Sequence, residues 1–420
     1  MDKIIIHGGK KLKGTVEISG SKNASLPILF ATLLTDSKCS IQNVPLLKDI
    51  ETAIELLKFF GKKVGFHDSK IIVSQNKKIN IPVEAPYELI KKMRASFLVA
   101  GPLLARYGKV KVALPGGCAI GVRPVDIHLK GFSKLGAKIK LSEGYVYIYA
   151  KKLKPAIFTL PYPSVGATEN LLLASVLTEG KTVLKNVARE PEIVDLANFL
   201  ISLGAKIKGA GTKTIEIQGV SQLNGVKNYT VIPDRIEAGT FLIAGAITKG
   251  DIIVKNCIPE HLEILISKLK ESGQRIIIKN NSIRIISEGR IKPVSIVTKP
   301  YPGFPTDLQA QWMAFMSQAD GESTIKESVF ENRFLHAAEL QRLGAILKIK
   351  DDTVYVSGNS ELSGAPVMVS DLRAGAALVL AGLAAKGITT VTHIYHLDRG
   401  YENLEKKLKK LGARIKRVEE

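Results

Sequence analysis

One pattern recurs six times along the chain and limits what it can fold into. In each copy a helix-like segment ends at a glycine and runs into a strand-like segment, as in "KLGAKIKL" and "RLGAILKI". A glycine after a helix provides a left-handed C-cap, and apolar residues at every second position predict a strand. The glycines are separated by 75, 68, 69, 71 and 68 residues, and they are Gly61, Gly136, Gly204, Gly273, Gly344 and Gly412. The chain is therefore predicted to be an α/β protein built from six αβ units.

A second element repeats at the same interval. It is an apolar helix opened by polar residues, as in "DRIEAGTFLIAGAI" and "DLRAGAALVLAGLAA". Such helices are apolar on most faces, so we expect them to be buried. The polar residues near the six starts are Lys22, Arg94, Thr168, Arg235, Asp307 and Arg373. Each could simply cap its helix, but four are cationic and unsuited to an N-cap, which favours binding of phosphate-like groups at these helix ends.

Composition narrows the class of protein. A chain of 420 residues predicts two domains, and a net charge of +21 is expected to attract anions. The lysines are scattered as on a solvated surface, and no aromatic RNA-binding motif accompanies them, so nucleic acid is a weak alternative. The longest small or apolar stretch has 12 residues, too few to span a bilayer. The N-terminus has no signal-peptide pattern, and we expect a cytoplasmic protein without a membrane partner.

One of the three cysteines stands apart. Cys118 in "LPGGCAIGVRPVD" lies between small residues, and Arg123 follows it. Free cysteines are usually buried, so a thiol left uncovered beside a cation predicts a reactive group. Cys39 and Cys257 lie in or beside strand-like segments and are expected to be structural. The histidines, including the "HIYH" pair, lack a ligand cluster, and no glycine-rich nucleotide motif occurs, so we predict no metal and no cofactor.

Several of these stretches together resemble one family. "SGSKNASLPIL", the Cys118 loop, "PYPSVGATEN", "YPGFPTDLQAQ", "SDLRAGAALV" and "HLDRGYENLEKKL" are similar to segments of the UDP-N-acetylglucosamine 1-carboxyvinyltransferases, the enolpyruvyl transferases of peptidoglycan synthesis. The resemblance implies two inside-out, barrel-like α/β domains of three repeats each. One would span residues 22–230, and the other would combine 1–21 with 231–420. The domains would close over the substrates, with the Cys118 loop as a lid and no second chain required, so a monomer is expected.

The resemblance also implies a reaction and a set of site residues. The enolpyruvyl group of phosphoenolpyruvate would pass to the 3-hydroxyl of UDP-N-acetylglucosamine, with release of phosphate. Cys118 would donate a proton and could form an adduct with phosphoenolpyruvate, Asp307 would accept the hydroxyl proton, and Lys22 would take part in catalysis. The expected substrate-binding residues are Lys22, Asn23, Arg94, Arg123, Pro124, Val125, Asp126, Ile127, Ser164, Val165, Gly166, Asp307, Val329, Arg333, Asp371, Arg373 and Arg399.

Two other functions compete with this reading. The related enolpyruvylshikimate-phosphate synthases share the fold but lack the Cys118 loop, so they would give that cysteine no role. A basic nucleic-acid-binding repeat protein would use the positive charge and bind with a steep salt dependence. Neither alternative accounts for both the cysteine loop and the "FPTD" segment.

Overall fold

The structure is a computed structural model that describes residues 2–75, 83–114 and 125–419. These residues form two compact units. One, the Lys22 unit, contains the described residues between 20 and 232, and the other, the Asp307 unit, contains residues 2–19 and 233–419. No helix in the described ranges is long and apolar enough to cross a membrane.

Five four-stranded sheets share one topology. In each, an edge strand runs parallel to its neighbour, and the next two pairings are antiparallel. In the Lys22 unit, one such sheet has the spatial order Val226–Thr230, Cys39–Gln42, Lys70–Gln75, Lys62–His67. The other has the order Lys206–Lys208, Thr214–Gln218, Lys181–Lys185, Ile157–Thr159. In the Asp307 unit the three are Pro366–Met368, Ile388–Thr392, Lys3–His7, Arg414–Val418; Arg275–Lys279, Ser282–Ile286, Asp251–Lys255, Lys13–Glu17; and Ile296–Val297, Ser323–Lys326, Thr353–Ser357, Ile346–Lys350.

The sixth sheet is a variation on the same plan. Its three strands, Lys109–Ala113, Tyr145–Tyr149 and Lys138–Ser142, pair antiparallel. Glu84 forms a parallel bridge with Lys111 on the edge where the other sheets have their fourth strand. The six predicted αβ units are therefore present, three in each unit of the structure.

The six repeat glycines lie just after the ends of helices, as the sequence predicts. All six repeat glycines have a positive φ, between +79° at Gly61 and +103° at Gly204. At Gly344, with a φ of +96°, an added Cβ would also lie 2.9 Å from the carbonyl oxygen of Glu361. Only glycine adopts this conformation without a steric cost, which explains why the residue recurs after each of the six helices.

The apolar helices lie inside and the sheets lie outside. In the Asp307 unit the helices Arg235–Ile247, Gln309–Met316 and Leu372–Ala384 pack on one another and are buried along nearly their whole length. Strands alternate between buried and more exposed residues, as in Thr353–Ser357, because only one face of each sheet covers the helices. The inside-out arrangement expected from the sequence is confirmed. The remaining α-helices are Lys22–Ala31, Lys48–Phe59, Tyr87–Ile90, Ala100–Tyr107, Asp126–Lys134, Val165–Ser175, Pro191–Ser202, Glu263–Glu271, Ala337–Arg342 and Leu404–Lys410.

The N-terminal segment completes two sheets of the Asp307 unit. Lys3–His7 pairs with Ile388–Thr392 on one side and with Arg414–Val418 on the other. Lys13–Glu17 then runs parallel to Asp251–Lys255 in a second sheet. The start of the chain is therefore an integral part of the unit formed by its C-terminal half.

Candidate active site

Four of the six buried helices have a side-chain cap that lies one to four residues before the polar position singled out in the sequence. Ser21, Ser164, Asp234 and Asp371 are the N-caps, and their side chains accept hydrogen bonds from N–H groups of the first turn. Because the caps satisfy this requirement, the side chains of the charged residues beside them are left for other contacts.

Asp307 is held by two arginines in the Asp307 unit. Its Oδ1 lies 3.0 Å from Nη2 of Arg333, and its Oδ2 lies 3.0 Å from Nη2 of Arg373. Both arginine side chains are buried, at 5% and 4% exposure, whereas the Asp307 side chain is 26% exposed. The carboxylate does not cap the helix Gln309–Met316, whose N-cap is Leu308. It is instead a carboxylate that two buried cations fix in place while its side chain stays partly exposed.

A polar network supports Arg373 from within the core. The guanidinium lies over the ring of Tyr401, 5.4 Å from the ring centroid. The Tyr401 hydroxyl is 2.9 Å from Oγ1 of Thr240 and 3.1 Å from Nε2 of Gln311. Gln311 also donates to the backbone carbonyl of Asp307 at 3.0 Å. This network fixes both partners of the Asp307–Arg373 ion pair, and no periodic pattern in the sequence indicates its members.

Asp371 is the N-cap of the helix that carries Arg373. Its Oδ1 accepts the N–H of Arg373 at 2.9 Å and that of Ala374 at 3.1 Å. Arg399 lies at the end of the short 3-10 helix Ile394–Arg399 in the same unit and is partly buried. The cap assigns Asp371 a structural contact, and its role in substrate binding stays a prediction.

In the Lys22 unit, Lys22 is paired with an acid that the sequence analysis did not single out. Lys22 is the first residue of the helix Lys22–Ala31, and its Nζ lies 3.3 Å from Oδ2 of Asp49. Asp49 is buried near the start of the helix Lys48–Phe59, where an acidic residue looks like an ordinary complement to the helix dipole. The pairing restrains the ammonium of Lys22, and Asn23, the next residue of the helix, is also partly buried.

The N-terminus of the helix Val165–Ser175 faces a buried histidine. The amide nitrogen of Asn170 lies 3.1 Å from Nδ1 of His128, and a Cβ placed on Gly166 would lie 3.6 Å from Nε2. Burial, together with the charge of Arg94, lowers the pKa of His128 to about 3. Because the amide donates to Nδ1, the neutral ring carries its proton on Nε2, so a donor points toward the first turn of the helix.

The backbone N–H groups of two expected substrate-binding residues already have partners within the protein. The N–H of Ser164 donates to the carbonyl of Tyr162 at 2.7 Å, and the N–H of Val329 donates to Oε1 of Glu327 at 2.8 Å. Val165 and Gly166 occupy the first turn, where N–H groups have no partner within the helix. Such a turn can bind an anion, most directly through these two residues.

The remaining expected residues fall between positions 118 and 127 of the sequence. Val125 is buried, Ile127 is partly buried, and Asp126 forms an ion pair with Lys130 at 3.1 Å on the first turn of the helix Asp126–Lys134. Cys118, Arg123 and Pro124 lie outside the residues that the structure describes. Their roles therefore stay predictions.

The other two cysteines are buried, as expected. Cys39 is 0% exposed and Cys257 is 2% exposed, and burial raises the pKa of both thiols, that of Cys257 to about 11. They are structural residues. In the described ranges no group of three or more His, Cys, Asp or Glu side chains is arranged to hold a metal ion.

Comparisons with known proteins identify the class. A family described as EPSP synthase (3-phosphoshikimate 1-carboxyvinyltransferase) matches residues 6–408. The enolpyruvyl transferase NikO from Streptomyces tendae superposes with a TM-score of 0.90 and 26% identity, over 99% of each chain. An EPSP synthase from Acinetobacter baumannii shares the fold, with a TM-score of 0.76 at 18% identity over 100% of each chain. The fold and the motifs are those of an enolpyruvyl transferase.

Curated relatives define the family more closely. The UDP-N-acetylglucosamine 1-carboxyvinyltransferase of Endomicrobium trichonymphae is 59% identical over 99% of each chain. The UDP-N-acetylglucosamine 1-carboxyvinyltransferase 2 of Carboxydothermus hydrogenoformans is 54% identical over 100% of each chain. The chain belongs to the UDP-N-acetylglucosamine 1-carboxyvinyltransferase family.

Proposed function

We infer that this chain transfers the enolpyruvyl group of phosphoenolpyruvate to the 3-hydroxyl of UDP-N-acetylglucosamine, which is the first committed step of peptidoglycan synthesis. The observation that carries this inference is the Asp307 carboxylate held between Arg333 and Arg373, in a chain 59% identical to a relative of that name. A partly exposed carboxylate fixed by two buried cations can orient a sugar hydroxyl and accept its proton.

The reaction is an addition followed by an elimination. A proton adds to the methylene carbon of phosphoenolpyruvate, and the sugar oxygen attacks the adjacent carbon as its own proton leaves. A proton is then lost from the new methyl group and inorganic phosphate departs with the electron pair of its C–O bond, which restores the double bond. Atoms and charge balance with no oxidant, reductant or further reactant.

The two substrates are both anionic, so the protein must hold them against their mutual repulsion. Two unit charges about 4 Å apart repel by roughly 4 kcal/mol at an effective dielectric constant of about 20. We assign Lys22, Asn23, Arg123 and Arg399 to phosphoenolpyruvate. The residues assigned to the UDP-sugar are Arg94, Pro124, Val125, Asp126, Ile127, Ser164, Val165, Gly166, Asp307 and Val329. Arg333, Asp371 and Arg373 are assigned to the substrate site without a particular ligand.

We assign the proton donor to Cys118. Arg123 favours its thiolate, whereas the negative charge of bound phosphoenolpyruvate favours the protonated thiol, which can donate. Changing Cys118→Asp should retain turnover because a carboxylic acid also donates a proton, and Cys118→Ser should lose most of it. Fosfomycin, an epoxide phosphonate, should alkylate the wild-type cysteine and leave Cys118→Asp active. Equal activity of the two variants would contradict the donor role.

The test of the whole proposal is phosphate release from phosphoenolpyruvate with two alternative acceptors. UDP-N-acetylglucosamine should support release, and shikimate 3-phosphate should not. Release that depends on shikimate 3-phosphate instead would assign the chain to the related synthases. Mass spectrometry of the sugar product should show the added enolpyruvyl group.

We also propose that the enzyme acts in the cytoplasm as a monomer, where it serves cell-wall growth and division. Sedimentation velocity at micromolar concentration should give a single species with the mass of one chain, 45.6 kDa. A species of twice that mass would contradict the monomer.

A further inference from the structure

We propose that Glu327 is a positioning residue that aligns the Asp307 segment with the Val329–Arg333 segment, so that base and sugar site act together. This proposal rests on the proposed function and deepens it. Glu327 follows the strand Ser323–Lys326, is 4% exposed, and has no contact assigned to it in the reaction described above.

The carboxylate of Glu327 accepts four hydrogen bonds. Its Oε1 accepts from Oγ1 of Thr298 at 2.7 Å, from N–H of Val329 at 2.8 Å and from N–H of Phe330 at 3.2 Å. Its Oε2 accepts from Oγ1 of Thr306 at 2.8 Å. All four groups donate and all four are uncharged, so the ionised carboxylate is the form that satisfies them, through strong charge-assisted bonds.

These four donors come from the two segments that carry the site. Thr298 and Thr306 bracket the "TKPYPGFPT" stretch, and Thr306 immediately precedes Asp307. Val329 and Phe330 lie in the segment that leads to Arg333, whose guanidinium binds Asp307. One buried side chain therefore connects the base to its own cationic partner through the backbone.

A second set of contacts closes the connection. The N–H of Ser328 donates to Oγ1 of Thr298 at 2.9 Å, and the Ser328 hydroxyl donates to the Thr298 carbonyl. The N–H of Glu327 itself donates to the carbonyl of Asp352 at 2.8 Å, which anchors the residue to the neighbouring hairpin. The backbone of Glu327 is thus anchored to the hairpin, and its carboxylate binds both segments.

The first experiment compares Glu327→Gln with Glu327→Ala. In Glu327→Gln the amide oxygen can keep the donors of Oε1, and the Thr306 hydroxyl can rotate to accept from the amide nitrogen. We therefore expect kcat to fall by less than about 5-fold in this variant, whereas Glu327→Ala leaves buried donors unsatisfied and should lower kcat about 100-fold.

The second experiment isolates the connection to Asp307. Thr306→Val removes one anchor and should lower kcat about 10-fold while KM for UDP-N-acetylglucosamine changes less than about 2-fold. Thr248→Val is the matched control, because Thr248 is also buried in the Asp307 unit and its hydroxyl bonds the Ala244 carbonyl instead. The control should leave kcat unchanged even if both variants lose thermal stability.

A double-mutant cycle separates positioning from a general loss of structure. If Thr306 acts through Asp307, Thr306→Val should lower the residual kcat of Asp307→Asn by less than about 2-fold, a strong non-additivity. Full additivity would overturn the proposal, and so would a Glu327→Gln variant as impaired as Glu327→Ala. If Glu327→Ala does not fold, the Gln variant and the cycle still decide. Wild-type chain that releases no phosphate contradicts the proposed function, whereas an active wild type with unaffected Glu327→Ala and Thr306→Val contradicts only the role of Glu327.

Discussion

The N–H of Arg373 donates to Oδ1 of Asp371 at 2.9 Å, and the guanidinium of the same arginine reaches Oδ2 of Asp307 at 3.0 Å. Arg373 therefore connects the cap of its helix to the position of the Asp307 carboxylate. Because Asp371 fixes the first turn of the helix Leu372–Ala384, it also fixes the point from which the Arg373 side chain extends. Local helix stability and site geometry are coupled at this position.

Loss of the Asp371 N-cap should lower the free energy of unfolding, and a different capping residue at this position should restore it. We expect Asp371→Ala to lower the free energy of unfolding by about 1 kcal/mol, and Asp371→Ser to recover most of it, because serine also accepts from first-turn N–H groups. Chemical denaturation of the three proteins measures this. If the alanine and serine variants are equally stable, the hydrogen bonds to Arg373 and Ala374 do not stabilise the helix.

Removal of the Asp307 charge should abolish most catalysis without preventing binding of the UDP-sugar. Asp307→Asn keeps an acceptor for the sugar hydroxyl but cannot take its proton, so kcat should fall by roughly 100- to 10,000-fold. Asp320→Asn is a suitable control because Asp320 lies in the same unit and pairs loosely with Arg290 at 3.8 Å. Calorimetry should still detect binding of UDP-N-acetylglucosamine to Asp307→Asn, and an active Asp307→Asn enzyme would rule out the base role.

Asp195 should make the stability of the Lys22 unit depend on pH. Burial raises the pKa of Asp195 to about 6, outweighing hydrogen bonds from the Tyr229 hydroxyl and the Ile232 N–H that lower it. The ordinary pKa of an aspartate is about 3.9, so between pH 4 and pH 6 the native state binds more protons at Asp195 than the unfolded state does. The stability that this group contributes is therefore fully present below about pH 4 and is lost as the pH rises through 6.

The variant Asp195→Asn tests this dependence. We expect its free energy of unfolding, relative to wild type, to increase by on the order of 2 kcal/mol from pH 4 to pH 7, whatever the absolute cost of the substitution. Asp68→Asn is the control, since the Asp68 side chain is 87% exposed. A difference between wild type and Asp195→Asn that stays constant across this range would show that Asp195 is equally ionised in both states.

Thiol labelling should distinguish Cys118 from the two buried cysteines. Cys39 and Cys257 are inaccessible and burial raises their pKa, so iodoacetamide at neutral pH should leave them unmodified in the native protein. Peptide mass spectrometry should find the label on Cys118, and on all three residues after denaturation. Early native labelling of Cys39 would contradict the buried strand position.

Much of the fold could be predicted because its signals are local. A glycine that must adopt a positive φ, such as Gly344, and an apolar helix such as Leu372–Ala384 both leave a pattern within a short window of sequence. Pairing between strands that lie hundreds of residues apart leaves no such local pattern. Neither the insertion of Lys3–His7 between Ile388–Thr392 and Arg414–Val418 nor the bridge that replaces a fourth strand at Glu84 could be anticipated from periodicity.

The site residues likewise include some that the sequence predicts and some that it does not. Asp307, Arg333 and Arg373 were expected from motif similarity, and the structure brings these three together. Asp49 and Glu327 were missed, because an acid in a helix turn or after a strand looks ordinary until its partners are known. What a side chain contacts depends on distant segments, whereas motif similarity was enough to suggest Asp307 as the base.

The position of Lys3–His7 also orders events during synthesis. This strand is made before both of its neighbours, which follow it in the chain by more than 380 residues. The Lys22 unit has every strand of its own sheets once residue 232 has emerged, so it can fold while the N-terminal strands wait unpaired. Lys3–His7 can therefore join its sheet only after the two much later strands beside it have emerged.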